Sequence, residues 1–446
     1  MDFLKDMIMN RVLLLLMVWF CACSPENTEI FDLSSSVDDI KLIKLRADHK
    51  MLLPDGIAQM EFHVLAYGAQ EFTTYEIEEV EGQDQYVIGT SRDTFEIPLD
   101  RLPEGCIKVY DDAGREVKDM IYSTTDRNKR EITFYAKAGN VQSNSLTIQI
   151  RDLPEMDYEE IVVPVIFHVM VPPPSIGPAY SVSSEELQKR LDHLNDIFNR
   201  RATSDPNGGN AKIIFKLAEY DPSGRLLLEK GKNKVELAEE MSKSDYEDYI
   251  NSKLIWDPAR YLNVWLAKYS TSSSVSNTYS VSAPEVILEG YESIPGLKMQ
   301  VVSDYSASDV ENYTDVGMMI NIRDFFATDG KSYFDLSLVF GLYYGLLYTD
   351  QDDNNTFVNG DNDYCPDTYS FDYGFYPSVF KGNNLDGQPE NDPTRPLEYF
   401  TSFNVMDMYS YKNSLSIDQV KRLRMVLQQC PSRWAYKSDW AFTGGN

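Results

Sequence analysis

The sequence predicts two folded parts in series. The first is an all-β sandwich over residues 38–152, and the second an α/β domain over 161–446 with a twisted, mostly parallel sheet covered by helices. Three observations lead there. Short runs of alternating apolar and polar residues, separated by Gly, Asp and Asn turns, fill residues 38–152. Beyond them, dense apolar runs at 161–169, 213–218, 261–266 and 316–322 alternate with helical patterns. Last, the uncharged stretch Leu338-Val339-Phe340-Gly341-Leu342-Tyr343-Tyr344-Gly345-Leu346-Leu347-Tyr348 reads as a buried helix that ends near Gly345. A chain of 446 residues, 43% of them hydrophobic, is long enough for such cores.

Residues 1–22 read as a signal peptide. Arg11 precedes an apolar run at 12–20 that is too short to span a bilayer. Asp2 and Asp6 are unusual in such a leader, which makes Met7 and Met9 alternative starts. Phe20-Cys21-Ala22-Cys23 resembles a lipobox, with Cys23 as the lipidated first residue; an ordinary cleaved leader is the alternative. Residues 23–37 then form a polar tether. Glu26, Glu29 and Asp32 resemble the acidic signals that send some lipoproteins to the outer leaflet, which implies a surface-exposed protein held to the outer membrane by lipid alone. The formal charge of −29 excludes nucleic acid as a partner, and excludes docking on anionic lipid through a basic patch.

In the predicted sandwich, runs at 40–45, 60–66, 86–88, 95–99, 106–110, 131–136 and 145–150 are the strands. Gly105, Asp111 to Gly114 and Ala138 to Asn140 are the turns. The closing segment 136–148 resembles bacterial Ig-like repeats, so an Ig-like spacer is expected, followed by an acidic linker at 153–160 containing Pro154. His49 and His63 fall in this part, and His63 sits within a strand pattern.

In the second part, the run 161–169 is a buried strand carrying His168, read as a satisfied core histidine. Ser183 and Glu186 form a capping-box pattern ahead of a helix with Leu187, Leu191, Leu194 and Phe198 inward and His193 off that face. Residues 234–252 read as mixed helix and polar turn. Ser416 and Gln419 open a closing helix with Val420, Leu423 and Leu427 inward.

These elements, in order, resemble the metzincin-type zinc metallopeptidases of the pappalysin and cytophagalysin kind, in lipoprotein form. The resemblance rests on the strand at 261–266, Met319 to Arg323, the central stretch, Cys365-Pro366-Asp367-Thr368 and Asn404-Val405-Met406-Asp407, and it spans roughly residues 161–434. It implies a metzincin-like fold with a cleft along one edge strand, and it makes Met406 the Met-turn residue. Such enzymes carry H-E-x-x-H-x-x-G-x-x-H, in which two histidines one helical turn apart and a third beyond the glycine hold zinc, and the Glu serves as general base. Laid on this chain, the ligand positions are Leu338, Leu342 and Tyr348, the general-base position is Val339, and Gly345 is the glycine. The chain has four histidines, at 49, 63, 168 and 193; none precedes a Glu and no two are spaced by four. The usual zinc site is excluded by this count, and no zinc is expected.

The acidic loop after the helix offers Asp350, Asp352, Asp361 and Asp363 as a candidate calcium set, without EF-hand spacing; a solvated loop is the alternative. Cys365 and Cys430 are candidates for a disulfide or for two separate buried thiols. Three functions stay open. The chain is a catalytically inactive homologue that binds peptide or protein, by strand addition for example. Alternatively it is a glycan-binding surface lipoprotein that uses its 29 Tyr and 5 Trp, with Tyr373 and Tyr376 as probes. The last is an active metallopeptidase with a non-standard metal site.

Overall fold

A computed structural model of the chain describes residues 34–47, 49–80, 83–152, 157–171, 182–202, 205–239, 241–269, 278–325, 335–349, 363–368, 389–392, 395–401, 403–407 and 412–445. The chain divides into two compact units. One comprises residues 1–44, 64–108 and 136–144; the other comprises 45–63, 109–135 and 145–446.

The N-terminal third is all β among its described residues, apart from single 3-10 turns. Its strands are β1 (Leu42–Ala47), β2 (Met51–Leu52), β3 (Met60–Val80), β4 (Gln83–Ile97), β5 (Lys108–Asp111), β6 (Glu116–Val117), β7 (Ile121–Tyr122), β8 (Glu131–Ala138), β9 (Val141–Gln142) and β10 (Leu146–Ile150). Within the first unit, β3 and β4 form one long antiparallel hairpin, in register from Ala66↔Ile97 to Val80↔Gln83. The separate runs expected at 86–88 and 95–99 are therefore one strand: inter-strand hydrogen bonds carry the backbone through the polar residues between them. Within the second unit, β10 pairs antiparallel with β8 from Leu146↔Phe134 to Gln149↔Glu131, and parallel with β2 at Gln149↔Met51. Phe62, Tyr122 and Phe134 meet there, with ring centroids 4.6 and 4.9 Å apart.

The rest of the second unit is a mixed α/β structure. Its strands are β11 (Ile161–Val171), β12 (Ile213–Leu217), β13 (Lys232–Glu236), β14 (Leu262–Ala267), β15 (Tyr279–Val281), β16 (Val286–Leu288), β17 (Gln300–Val302) and β18 (Gly317–Asn321). Its longer helices are α1 (Ser184–Phe198), α2 (Lys243–Lys253), α3 (Leu336–Tyr343) and α4 (Ile417–Gln429). The main sheet has the order β12-β11-β14-β18-β15, and β13 also pairs with β11. All pairs are parallel except β15 with β18, which is antiparallel at Tyr279↔Ile320. β11 is long enough to pair twice: residues 161–165 pair with β12, and 167–171 with β13. Strand β13 was not expected, because Lys-Asn-Lys-Val-Glu lacks an apolar run; its place beside β11 supplies the missing drive. Beyond the sheet, β16 and β17 form a parallel pair, and Pro389–Asp392 forms a hairpin with Arg395–Thr401.

Strand alternation sorts the core into two layers. Val163, Val165, Phe167 and Val169 join Leu187, Leu191, Leu194 and Phe198 of α1, together with α3 and α4. On the opposite face, Met170, Trp265 and Met319 pack on Tyr246 and Ile250 of α2. His168 is fully buried. Its Nε2 lies 3.0 Å from Asn263 Oδ1, and Asn233 Nδ2 donates to its Nδ1 at 2.9 Å. Burial pushes its pKa down to about 4, so the ring is neutral.

Ser183 caps α1 by accepting from the Glu186 N–H at 3.2 Å. The expected reciprocal half of the box does not form. The Glu186 carboxylate pairs instead with Arg190 one turn on, at 3.6 Å. At α4 the box is complete: Gln419 N–H donates to Ser416 Oγ, and Ser416 N–H to Gln419 Oε1.

Candidate functional site

The central helix α3 begins at Asp335, whose Oδ1 accepts from the Ser337 N–H at 2.7 Å. With no charge on any face it is sequestered: Leu336 to Gly341 and Tyr343 are all buried, and Leu342 is partly buried against the core. It ends in a Schellman turn. Leu346 N–H donates to Gly341 O and Gly345 N–H to Leu342 O, both at 2.9 Å, and Gly345 takes φ +80°. The two glycines have different tasks. Gly345 supplies the left-handed turn. A Cβ on Gly341 would lie 2.8 Å from Met406 Sδ, so its bare backbone makes room for that sulfur.

Met406 is fully buried in a tight turn below the helix. Asn404 Oδ1 accepts from the Met406 N–H at 2.9 Å, and Asn404 trades two 3.0 Å amide bonds with Gln419 of α4. Lys412 donates its ammonium to the carbonyls of Val405 and Asp407, and Thr349 donates to the buried Asp407 carboxylate. The turn is thus held from both sides.

At the four positions that the sequence resemblance assigns to zinc chemistry, Leu338 is 4% exposed and Val339 0%, both within the apolar core. Leu342 packs against the same core. Tyr348, beyond the turn, offers an oxygen, but its hydroxyl is 2.5 Å from that of Tyr279 on β15. Hydrocarbon side chains cannot ligate a cation, and the residues present do not fit zinc. The histidines stand elsewhere: His193 is exposed on α1, His49 lies 3.2 Å from Asn207 Nδ2, and His63 belongs to β3. Among the described residues no group of three His, Cys, Asp or Glu is arranged to hold a metal.

Of the candidate calcium set only Asp363 is described; Asp350, Asp352 and Asp361 lie outside the described residues, as do Cys23 and the aromatic pair Tyr373 and Tyr376. Asp363 is buried. Its Oδ1 accepts from the Cys365 N–H at 3.1 Å and its Oδ2 from Thr368 Oγ1 at 2.8 Å. Burial, reinforced by Asp407 and Asp367, pushes its pKa up to about 7. Cys365 and Cys430 are each buried as a free thiol. Burial raises both thiols, that of Cys430 to about 12.

Two buried arginines were invisible in the sequence. Arg433 donates to the carbonyls of Tyr343 (2.8 Å), Ser282 (3.0 Å) and Asp315, and its guanidinium lies 3.7 Å from the Tyr343 ring centre. It ties the end of α3 to the chain after β15 and before β18. Arg151 bridges Asp367 (2.9 Å) and Asp418 (2.5 Å), while Asp367 also accepts from Ser416 Oγ and the Asp418 N–H. The Cys-Pro-Asp-Thr loop thereby caps α4 with a carboxylate, where the helix dipole favours one.

Edge strand β15 was also missed: the polar run before it hides a Tyr-Ser-Val-Ser alternation at 279–282. It ends the sheet order, and all its residues line an open cavity of about 480 Å³ with Lys243, Glu247 and Asn251 of α2 and Tyr313.

No family model matches the chain, and no curated protein matches it. Among solved structures, it is similar to mature mirolysin of Tannerella forsythia in complex with a cleaved peptide, at 21% identity over 65% of this chain and 99% of that one, with a TM-score of 0.45. A mutant Tannerella forsythia promirolysin (21%, 64% and 87%, TM-score 0.45) and mirolysin in complex with compound 9 (21%, 65% and 100%, TM-score 0.44) are similar to the same degree.

Proposed function

We propose that this protein is a metallopeptidase-like pseudoenzyme of metzincin type that has lost its metal and binds an extended peptide, or an extended segment of a protein, against β15. The observation that carries the reading is the pairing of a filled site with a strand that ends the sheet order among the described residues. Leu338 and Val339 sit in the core at the ligand and base positions, while β15 lines a cavity at the end of the sheet. An incoming strand would be held by main-chain hydrogen bonds and selected through side-chain pockets. The sequence resemblance supports the metzincin frame, and the apolar ligand positions support the loss of zinc. The reading adds lipidation at Cys23, anchoring to the outer membrane and a surface-exposed position.

A peptide-array screen followed by hydrogen exchange tests the binding reading. A bound peptide is expected to protect the amides of residues 279–281; a binder that leaves them unprotected, or an array without binders, overturns it. After zinc loading and dialysis the chain is expected to retain far less than one equivalent, and a stoichiometric tight zinc would refute the pseudoenzyme. Incorporation of labelled palmitate, lost in Cys23→Ser, tests the anchor.

A further inference from the structure

Far from β15 in the sheet order, the start of β11 and the last turn of α4 border a second open groove of about 500 Å³. Three tyrosines line it: Tyr158, Tyr291 and Tyr436. Glu159, Glu160, Gln428 and Lys437 are exposed around them.

The walls are fixed from behind. Arg424 lies 4.8 Å from the Tyr158 ring centre and donates to the carbonyls of Glu159 (2.9 Å) and Ala211 (3.2 Å). Tyr436 donates its hydroxyl to Leu427 O at 3.2 Å, and Trp434 Nε1 donates to the same carbonyl at 2.8 Å. Lys437 stands over the Trp434 ring, 3.0 Å from its centre. Tyr291 is 40% exposed and completes the rim.

We infer that this groove is a binding site for a neutral oligosaccharide, with the tyrosines stacking on sugar faces and the rim bonding the hydroxyls. Charge and hydrogen-bonding capacity select that class. Glu159 and Glu160 balance Arg424 and Lys437, so neither a phosphate nor a polyanion is favoured. The rim offers acceptors in the carboxylates, donors in the ammonium, and both in the Gln428 amide. Sugar hydroxyls donate and accept and can satisfy all of them. A proline-rich peptide, the other common occupant of aromatic grooves, presents carbonyl acceptors and few donors, and so matches a rim with two carboxylate acceptors less well. The volume falls in the usual range for small-molecule sites, about 300–1,000 Å³, and suits a short oligosaccharide.

The test is calorimetric titration of the full chain with cellotetraose, xylotetraose, mannotetraose, maltotetraose and chitotetraose, with oligogalacturonate and decaproline alongside. At least one neutral tetrasaccharide is expected to bind saturably. Tyr291→Ala and Glu160→Ala, both at exposed positions, are expected to weaken it at least about tenfold with an unchanged melting temperature. Absence of binding by every neutral tetrasaccharide up to about 10 mM overturns the inference. So does binding that survives both substitutions, or preference for decaproline or oligogalacturonate.

Discussion

Replacing Gly345 by alanine isolates the turn that ends the central helix. Gly345 sits at φ +80°, where an L-residue costs about 1–2 kcal/mol. Alanine also narrows the unfolded ensemble and returns about 0.4–1 kcal/mol, leaving a net backbone loss of roughly 0.5–1 kcal/mol. The new Cβ would then lie 3.0 Å from Val426 Cγ2, 3.1 Å from Leu297 Cδ1 and 3.3 Å from Pro284 Cδ, three atoms in separate stretches of the chain that must each give way slightly. Overpacking of that kind costs about 1–3 kcal/mol, so the total is about 1.5–4 kcal/mol. Gly290→Ala is the control: it has φ +94° and nothing within 4 Å of its Cβ, so it bears the backbone loss alone. Urea unfolding followed by tryptophan fluorescence is suited to the comparison, because all the described tryptophans, at 256, 265, 434 and 440, belong to the second unit. Gly345→Ala is expected to unfold at lower urea than Gly290→Ala by the equivalent of at least about 1 kcal/mol. Equal destabilisation of the two variants would refute the account of a turn packed on three sides.

Other outcomes follow from the same geometry. Tyr348→Phe removes the hydroxyl bond to Tyr279 and is expected to cost about 1 kcal/mol, seen as faster amide exchange at residues 279–281. His168 is buried neutral with its pKa lowered to about 4, so the unfolded chain binds a proton that the folded chain refuses. Its contribution is full above about pH 6.5 and is lost as pH falls toward 4, by up to about 3 kcal/mol; its ring resonances are expected to titrate near pH 4, and a midpoint near 6.5 would contradict its burial. Cys365 and Cys430 are expected to resist thiol reagents in the native chain and to react fully in denaturant without reductant; a missing pair of thiols would restore the disulfide.

The parts of the fold that were legible in the sequence are those whose drive is local. The apolar runs at 161–169 and 261–266 became β11 and β14, because strands buried on both faces need continuous apolar residues. The Ser416/Gln419 box is local chemistry and formed as read, whereas Glu186 had a rival partner in Arg190 that a four-letter motif does not register. Strands β13 and β15 were illegible because their stability comes from neighbours, β11 and β18, distant in sequence. The site divides the same way. The uncharged stretch around Leu338 and Val339 reads as a buried helix from its composition, and Gly345 as its end, but their match to ligand, base and glycine positions came from the resemblance. Met406 beneath Gly341 rested on a resemblance alone. Arg433 and Arg151 carried no signal, since a lone arginine near the end of a helix or strand usually faces solvent.

Arg433 also sets an order of events. The carbonyls it satisfies belong to residues 90, 118 and 151 positions earlier in the chain. Until residue 433 arrives, the end of the central helix and the flanks of two strands hold main-chain acceptors with no guanidinium to receive from. Loops of that length close slowly. A ribosome that delivers this chain from its N-terminus therefore releases residues 145–432 before the second unit can lock. A molecule truncated just ahead of residue 433 would retain nearly all its apolar core and still lack the cation that fastens it.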